Sequence, residues 1–238
     1  MRYSASSSVL SHMGRIARVI IPDIPHHVTQ RGNRRQNVFF SDADKALYLT
    51  ILLRNVEKFG MTILAYCLMN NHLHLVALAA LKAAFVRAIG ETHRKYTTII
   101  NIREDWKGYL WQGRFISCPM DAPHLYCAVR YTERNPVRAR IVENAEDYPW
   151  SSARAHIFGT ADPILSDIKP YLSVPDWKEY LRSPEKESEL EEIRRHSRTG
   201  WPLGSDEFIK KLEKTTGRRL RPLNPGRRGA GTEKKSGT

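Results

Sequence analysis

The stretch Tyr66-Cys67-Leu68-Met69-Asn70-Asn71-His72-Leu73-His74-Leu75-Val76 decides how this chain folds. Apolar residues fill both ends, and Leu73 and Leu75 alternate with His72 and His74, the period of a strand whose successive side chains point to opposite faces. Asn70-Asn71 is a two-residue turn signal, so Met61 to Met69 and His72 to Leu78 read as the two strands of a hairpin. His72 and His74 then share one face, about 7 Å apart along the strand, while the leucines anchor it from the other side. Two such imidazoles can converge on one divalent ion. The spacing alone is weak evidence. With nine histidines in 238 residues, an accidental His-x-His pair arises in roughly a third of such chains, and a pair of structural histidines is the plain alternative. A third ligand, a nucleophile and a suitably charged surface elsewhere in the chain decide between the two.

Upstream, His26-His27-Val28-Thr29-Gln30-Arg31-Gly32 has β-branched character and ends in the turn signal Gly32-Asn33, which predicts a first strand with a basic, polar end running on into Arg34 and Arg35. Ser41-Asp42-Ala43-Asp44 offers an N-cap and an acidic first turn; Leu47, Leu49, Ile51, Leu52, Val56 and Phe59 follow at near-helical spacing, and Gly60 suits the C-terminal cap. Downstream of the hairpin, Phe85, Ala88, Ile89, Tyr96 and Ile99 predict a second helix from Leu81 to about Ile100, with Arg87, His93, Arg94 and Lys95 on or near its polar side. Tyr109 to Cys118 is aromatic and β-prone, with Gly113 a bulge or a point of close backbone approach. Within it Trp111, Arg114 and Phe115 have the chemistry to stack on or clamp a nucleotide, and core packing is an equal claim on two of the three. Asp121 to Asn135 predicts a third helix capped by Asp121, ended or restarted at Asn135-Pro136. If that helix holds, Tyr131 and Asn135 lie on one face, a turn apart.

The order is strand, helix, hairpin, helix, strand, helix. It matches an α+β, ferredoxin-like β-α-β-β-α-β antiparallel sheet with a following helix, one that could set Tyr131 and Asn135 above His72 and His74. Residues 1–12 lack periodicity and are expected to be a disordered extension, before a main domain at 13–160. A helical extension follows at 161–216, with amphipathic segments around Trp177 to Ile193 and Asp206 to Thr216. The last stretch, 217–238, is basic, rich in Pro and Gly, and expected to be disordered.

Lys+Arg 38 against Asp+Glu 25 leaves a net charge of +13, which favours a polyanionic partner, nucleic acid before anionic lipid. Three cysteines, Cys67, Cys118 and Cys127, lie far apart and odd in number, which argues against a disulfide framework and for a reducing cytoplasm. No apolar run approaches the roughly 20 residues that span a bilayer, and the N-terminus lacks the hydrophobic region of a secretory signal. On this reading the chain is expected to be neither secreted nor membrane-embedded.

Several long motifs, taken together and in one order, resemble the REP-associated tyrosine transposases, a branch of the single-tyrosine HUH transposases. They are His26 to Asn33, Ala65 to Val76, His93-Arg94-Lys95-Tyr96, Gly108 to Phe115, Arg130 to Ala139, and Tyr148-Pro149-Trp150-Ser151-Ser152-Ala153. The resemblance implies that His72 and His74 are metal ligands, that Tyr131 is the nucleophile and its helix the catalytic one, and that Asn135 is the third ligand. It departs from the pattern at Asn70, where relatives commonly carry Pro, and at Ala79 to Phe85, which replaces a more polar loop. On this resemblance the expected cofactor is Mg²⁺ or Mn²⁺ and the expected partner is single-stranded or hairpin DNA. Arg31, Arg34, Arg35, Arg94, Lys95, Trp111, Arg114, Arg130 and Arg138 are the expected contacts to it. A monomer is expected in preference to a dimer, in the cytoplasm and associated with the nucleoid.

These residue types suit strand transfer. A tyrosine that links covalently to a phosphodiester stores the bond energy, so that a 3′-hydroxyl can later reverse the attack. Phenols ordinarily titrate near pH 10, so a cation and basic side chains must favour the developing phenolate. Two imidazoles and an amide are neutral ligands that leave a divalent ion its full charge, whereas a carboxylate-rich site cancels part of it. A hairpin-binding regulator without catalysis is the competing expectation, and a metal-dependent hydrolase that releases its product is a third.

Overall fold

The hairpin strands lie in the middle and at one edge of a four-stranded antiparallel sheet. The computed structural model describes residues 18–222, and the expected arm at 1–12 and most of the basic tail lie outside them. The sheet consists of β1 (His26–Arg31), β2 (Met61–Met69), β3 (His72–Ala79) and β4 (Ile116–Pro119), in the order β2-β3-β1-β4. Helix α1 (Asp42–Phe59) connects β1 to β2, and α2 (Lys82–Arg103) connects β3 to β4. This is the ferredoxin-like α+β arrangement that the element order predicts, with β3 interior between β1 and β2. After β4 come α3 (Ala122–Glu133), α4 (Asn135–Arg138), α5 (Ala153–Phe158), α6 (Trp177–Arg182), α7 (Glu187–Thr199) and α8 (Asp206–Thr216).

Local chemistry sets the element ends. At the start of α1 the Ser41 hydroxyl accepts from the Asp44 amide while the Asp44 carboxylate accepts from the Ser41 amide, a capping box that satisfies two donors the helix cannot. Gly60 ends the helix at φ +65°, where a side chain would be strained. The strand expected over Tyr109 to Cys118 is a correction: only Ile116–Pro119 is strand. Trp111 and Phe115 turn into the core, and Gly113 takes φ +137° between them, so the aromatic half of the segment serves packing rather than a ladder. That half still touches the sheet end. Gly32 and Trp111 form a single bridge, the Asn33 amide donates to the Leu110 carbonyl at 2.8 Å, and the Gln112 amide donates to the Arg31 carbonyl at 2.8 Å.

Period-two alternation in β3 divides the molecule. Leu73 and Leu75 pack with Val28, Phe39, Tyr48, Leu52, Phe85, Ile89 and Tyr96 under α1 and α2. Val76 and Leu78 pack with Leu64, Leu125, Val129, Leu190 and Ile193 under α3 and α7. The 161–216 segment thus shares a core with the sheet. Leu220, counted with the tail from sequence, is buried beside Val19, Ile21 and Leu212, so packing continues past Gly217. The free edge of β2 is closed by the Tyr148-to-Ala153 motif: the Leu68 amide donates to the Trp150 carbonyl at 2.9 Å and the Ser152 amide to the Tyr66 carbonyl at 3.0 Å.

Candidate active site

His72 and His74 lie on the α3 side of the sheet, as the alternation requires, with ring centroids 5.1 Å apart and ring planes at 85°. Above them stands Tyr131, on the buried face of α3, its ring edge-on to His74 at 5.5 Å and to His27 at 5.8 Å. The residues that the sequence separates by about sixty positions are brought together by one helix crossing one sheet. Asp121 begins that helix by accepting from the His124 amide, and Glu133 anchors its far end. The Glu133 carboxylate is fully buried and accepts from Ser152 Oγ at 2.5 Å; it pairs with His156 Nδ1 at 2.6 Å. The strip that seals the edge of β2 therefore also fixes the helix carrying Tyr131.

Both histidines have Nδ1 engaged and Nε2 without a partner among the described residues. His72 Nδ1 donates to the Asn71 Oδ1 at 2.6 Å. His74 Nδ1 meets His27 Nε2 at 2.9 Å, and His27 Nδ1 meets Ser197 Oγ of α7 at 3.0 Å. Burial, reinforced by Arg31 and Arg138, lowers His72 to about 4, and burial, reinforced by His27, His72, Arg138 and Arg31, holds His74 well below the usual imidazole range. Both are neutral donors at neutral pH, the state a cation needs. Asn135 opens α4, one turn beyond Tyr131; it is buried, and its side chain has no hydrogen-bond partner among the described residues. Two imidazole nitrogens and a side-chain amide are neutral donors of a kind that suits a divalent ion.

The charged residues sort into distinct groups. Arg31 faces His72 across the β1–β3 pairing, and Arg31, Arg34 and Arg35 are exposed, with no carboxylate paired to them among the described residues. Arg34 and Arg35 hold φ +51° and +64°, backbone that bulky residues rarely adopt. Beside them Gly32 lets the chain pass itself closely, since a Cβ there would lie 2.2 Å from the Gln36 carbonyl oxygen. Arg114 is exposed in the neighbouring loop. Arg138 lies over the Tyr131 ring at 4.0 Å, donates to the Tyr131 carbonyl, and is held by Glu185 at 3.0 Å.

Four expected contacts are placed elsewhere. Trp111 is buried among Phe39, Tyr48, His93 and Tyr96. Arg130 is buried and paired with Glu189 of α7 at 3.1 Å, because a charge on the inner face of α3 needs a partner once α7 covers it. Arg94 and Lys95 are exposed on α2, in the layer across the sheet from Tyr131, and Arg94 pairs with Glu91. Sequence reasoning also missed two residues at the centre, His27 and Ser197. His27 carried a signal, since period two puts it on one face with Thr29 and Arg31; Ser197 carried none.

Residues 21–135 match the family model described as transposase IS200 like. Among solved structures the chain is similar to a REP-associated tyrosine transposase bound to a REP hairpin, at 19% identity and a TM-score of 0.53, over 65% of this chain and 92% of that one. It also aligns with a candidate transposase from Deinococcus radiodurans R1, at 19% identity and a TM-score of 0.35, over 54% and 92% of the two chains. No curated protein matches it. Among the described residues no helix is long and apolar enough to cross a membrane.

Proposed function

We propose, from the match of residues 21–135 to the IS200-like transposase family model, that this chain cleaves and rejoins single-stranded DNA beside a hairpin, with Tyr131 as the nucleophile. The observation that carries the reading is the convergence of Tyr131 with His72 and His74 on one face of the sheet. The Tyr131 phenol gives up its proton as its oxygen attacks the scissile phosphorus, the bond to the 3′-oxygen breaks, and that oxygen takes up a proton to leave as a 3′-hydroxyl, so that no net proton is gained or lost. The protein keeps the 5′-phosphate as a phosphotyrosine, and attack by a 3′-hydroxyl reverses the step.

The chain's own residues have separable parts in this. Arg138 places positive charge over the Tyr131 ring, where the phenol oxygen becomes negative. Arg31 stands beside His72 at the open end of the sheet, suited to a phosphate oxygen, and Arg34, Arg35 and Arg114 extend that positive surface along the strand backbone. His72 Nε2, His74 Nε2 and the Asn135 amide would hold Mg²⁺ or Mn²⁺, which when bound polarises the non-bridging oxygens of the scissile phosphate. A hairpin substrate is supported by the relative that was solved on one. The chain acts as a monomer in this reading, with the nucleoid as its setting.

The test is trapping. Incubation with a panel of hairpin oligonucleotides and Mn²⁺, followed by a denaturing gel, is expected to show a covalent protein–DNA band for the native chain and none for Tyr131→Phe, with both proteins binding the hairpin. An adduct formed by Tyr131→Phe overturns the assignment. Binding without any adduct in the native chain selects the hairpin-binding regulator instead, and a cleaved oligonucleotide with no trapped protein selects the hydrolase.

A further inference from the structure

A ligating imidazole buried in a protein has a second nitrogen to satisfy. If His74 offers Nε2 to a cation, its Nδ1 must carry the proton, and that N–H is buried. The atom in front of it is His27 Nε2, at 2.9 Å, on a ring stacked almost parallel to that of His74, with 6° between the planes. To accept there, His27 must carry its own proton on Nδ1, and the atom in front of that nitrogen is Ser197 Oγ at 3.0 Å. The chain of acceptors thus runs from Nδ1 of His74 through His27 of β1 to Ser197 of α7. Ser197 is held in place twice, since Thr29 Oγ1, two residues along β1, donates to its backbone carbonyl at 3.3 Å.

Resting on the transposase reading above, we propose that His27 and Ser197 are positioning residues that hold His74 in the tautomer whose Nε2 is bare and aimed into the site. The residues concerned come from three elements. His74 is in β3, His27 is in β1, and Ser197 lies in α7, beyond the residues 21–135 that match the family. The segment after the matched domain is therefore part of the centre. The paired neutral rings also explain why a second histidine is buried beside the first. A leucine at position 27 would pack as well but would leave the ligating His74 with an unanswered N–H. Outer partners of this kind change metal affinity by about 10-fold to 100-fold when removed.

The experiment measures Mn²⁺ binding to the full chain by calorimetry and by the loss of the free Mn²⁺ electron-resonance signal, with no DNA present. His27→Leu is expected to weaken binding about 100-fold, and Ser197→Ala about 10-fold. His27→Gln, whose amide oxygen can still accept from His74 Nδ1, is expected to recover most of the His27→Leu loss. Hairpin-oligonucleotide binding and thermal melting report that each variant is folded. Native affinity in Ser197→Ala overturns the proposal even if His27→Leu does not fold, and equal loss in folded His27→Gln and His27→Leu overturns it by assigning His27 to packing. His72→Ala separates this from the parent reading. If His72→Ala binds Mn²⁺ as the native chain does, the metal centre itself fails, whereas loss in His72→Ala beside native binding in His27→Leu refutes only the relay.

Discussion

The two faces of β3 present opposite solutions to burial. On the α1–α2 face, Leu73 and Leu75 enter a core of aromatic and aliphatic side chains in which nearly every group is apolar or satisfied at a distance from any site. On the α3–α7 face, a half-buried His72 and a buried His74 lie in the same strand, beside a phenol, an arginine and a third imidazole. The apolar face needs only volume and shape, so substitutions there act on stability. The polar face holds neutral imidazoles and a buried carboxylate that are costly unless paired, and the pairing brings in partners from distant segments: Ser197, Ser152, His156 and Glu185. The contrast teaches that one strand can be scaffold and site together when its two faces are covered by different helices.

The largest expected effect breaks the comparison at adjacent residues. His74→Ala should lower adduct yield by about three orders of magnitude, the scale of a lost electrostatic contribution to the transition state. Leu75→Ala should cost about 2–5 kcal/mol of unfolding free energy in urea while leaving adduct yield per folded molecule unchanged. A Leu75→Ala variant that stays folded but inactive would show that the faces are not separable.

The next effect tests what the faces share. Burial lowers His26, His27 and His93 to about 3 and His72 to about 4, two of these on the apolar side and two on the site side. Above pH 6.5 folded and unfolded chains both hold these rings neutral. As the pH falls from about 6.5 towards 3 the unfolded chain takes up protons that the folded chain refuses, so stability declines through that window. Metal-free protein followed by circular dichroism should therefore unfold on acidification well before its carboxylates titrate out. A flat stability profile from pH 6.5 to 4 contradicts the neutral-histidine interior.

Smaller effects sharpen the boundary of the site. Glu185 is nearly enclosed and holds Arg134 at 3.0 Å as well as Arg138, so Glu185→Gln should cost about 1–3 kcal/mol and lower adduct yield several-fold by releasing Arg138 from the Tyr131 ring. The exposed Arg94–Glu91 pair on the other layer gives the smallest effect. Arg94→Ala should leave the melting temperature unchanged, and unchanged hairpin affinity as well would place the DNA on the face of Arg31 and Arg34.

Sequence made the hairpin, the ends of α1 and the shared face of His72 and His74 legible because each rests on local rules: a two-residue turn, a capping box, a period of two. The extent of β4 was not legible, since Trp111 and Phe115 have strand propensity and only the α1–α2 core decides that they pack instead. Arg130 read as a DNA contact because its partner, Glu189, is 59 residues away. Ser197 was invisible for the same reason. A serine in a charged helix has no pattern of its own, and its part in the site follows from α7 lying against β1.

The most direct test of the account is to find where the DNA is attached. Native protein trapped on a hairpin oligonucleotide with Mn²⁺ is digested with protease and nuclease, and the peptide carrying the residual nucleotide is sequenced by mass spectrometry. The modification is predicted on Tyr131, within the peptide following Arg130, and it should vanish in His72→Ala. A nucleotide on any other residue, or one on Tyr131 whose yield is unaffected by loss of His72, contradicts a centre built from that phenol and those imidazoles.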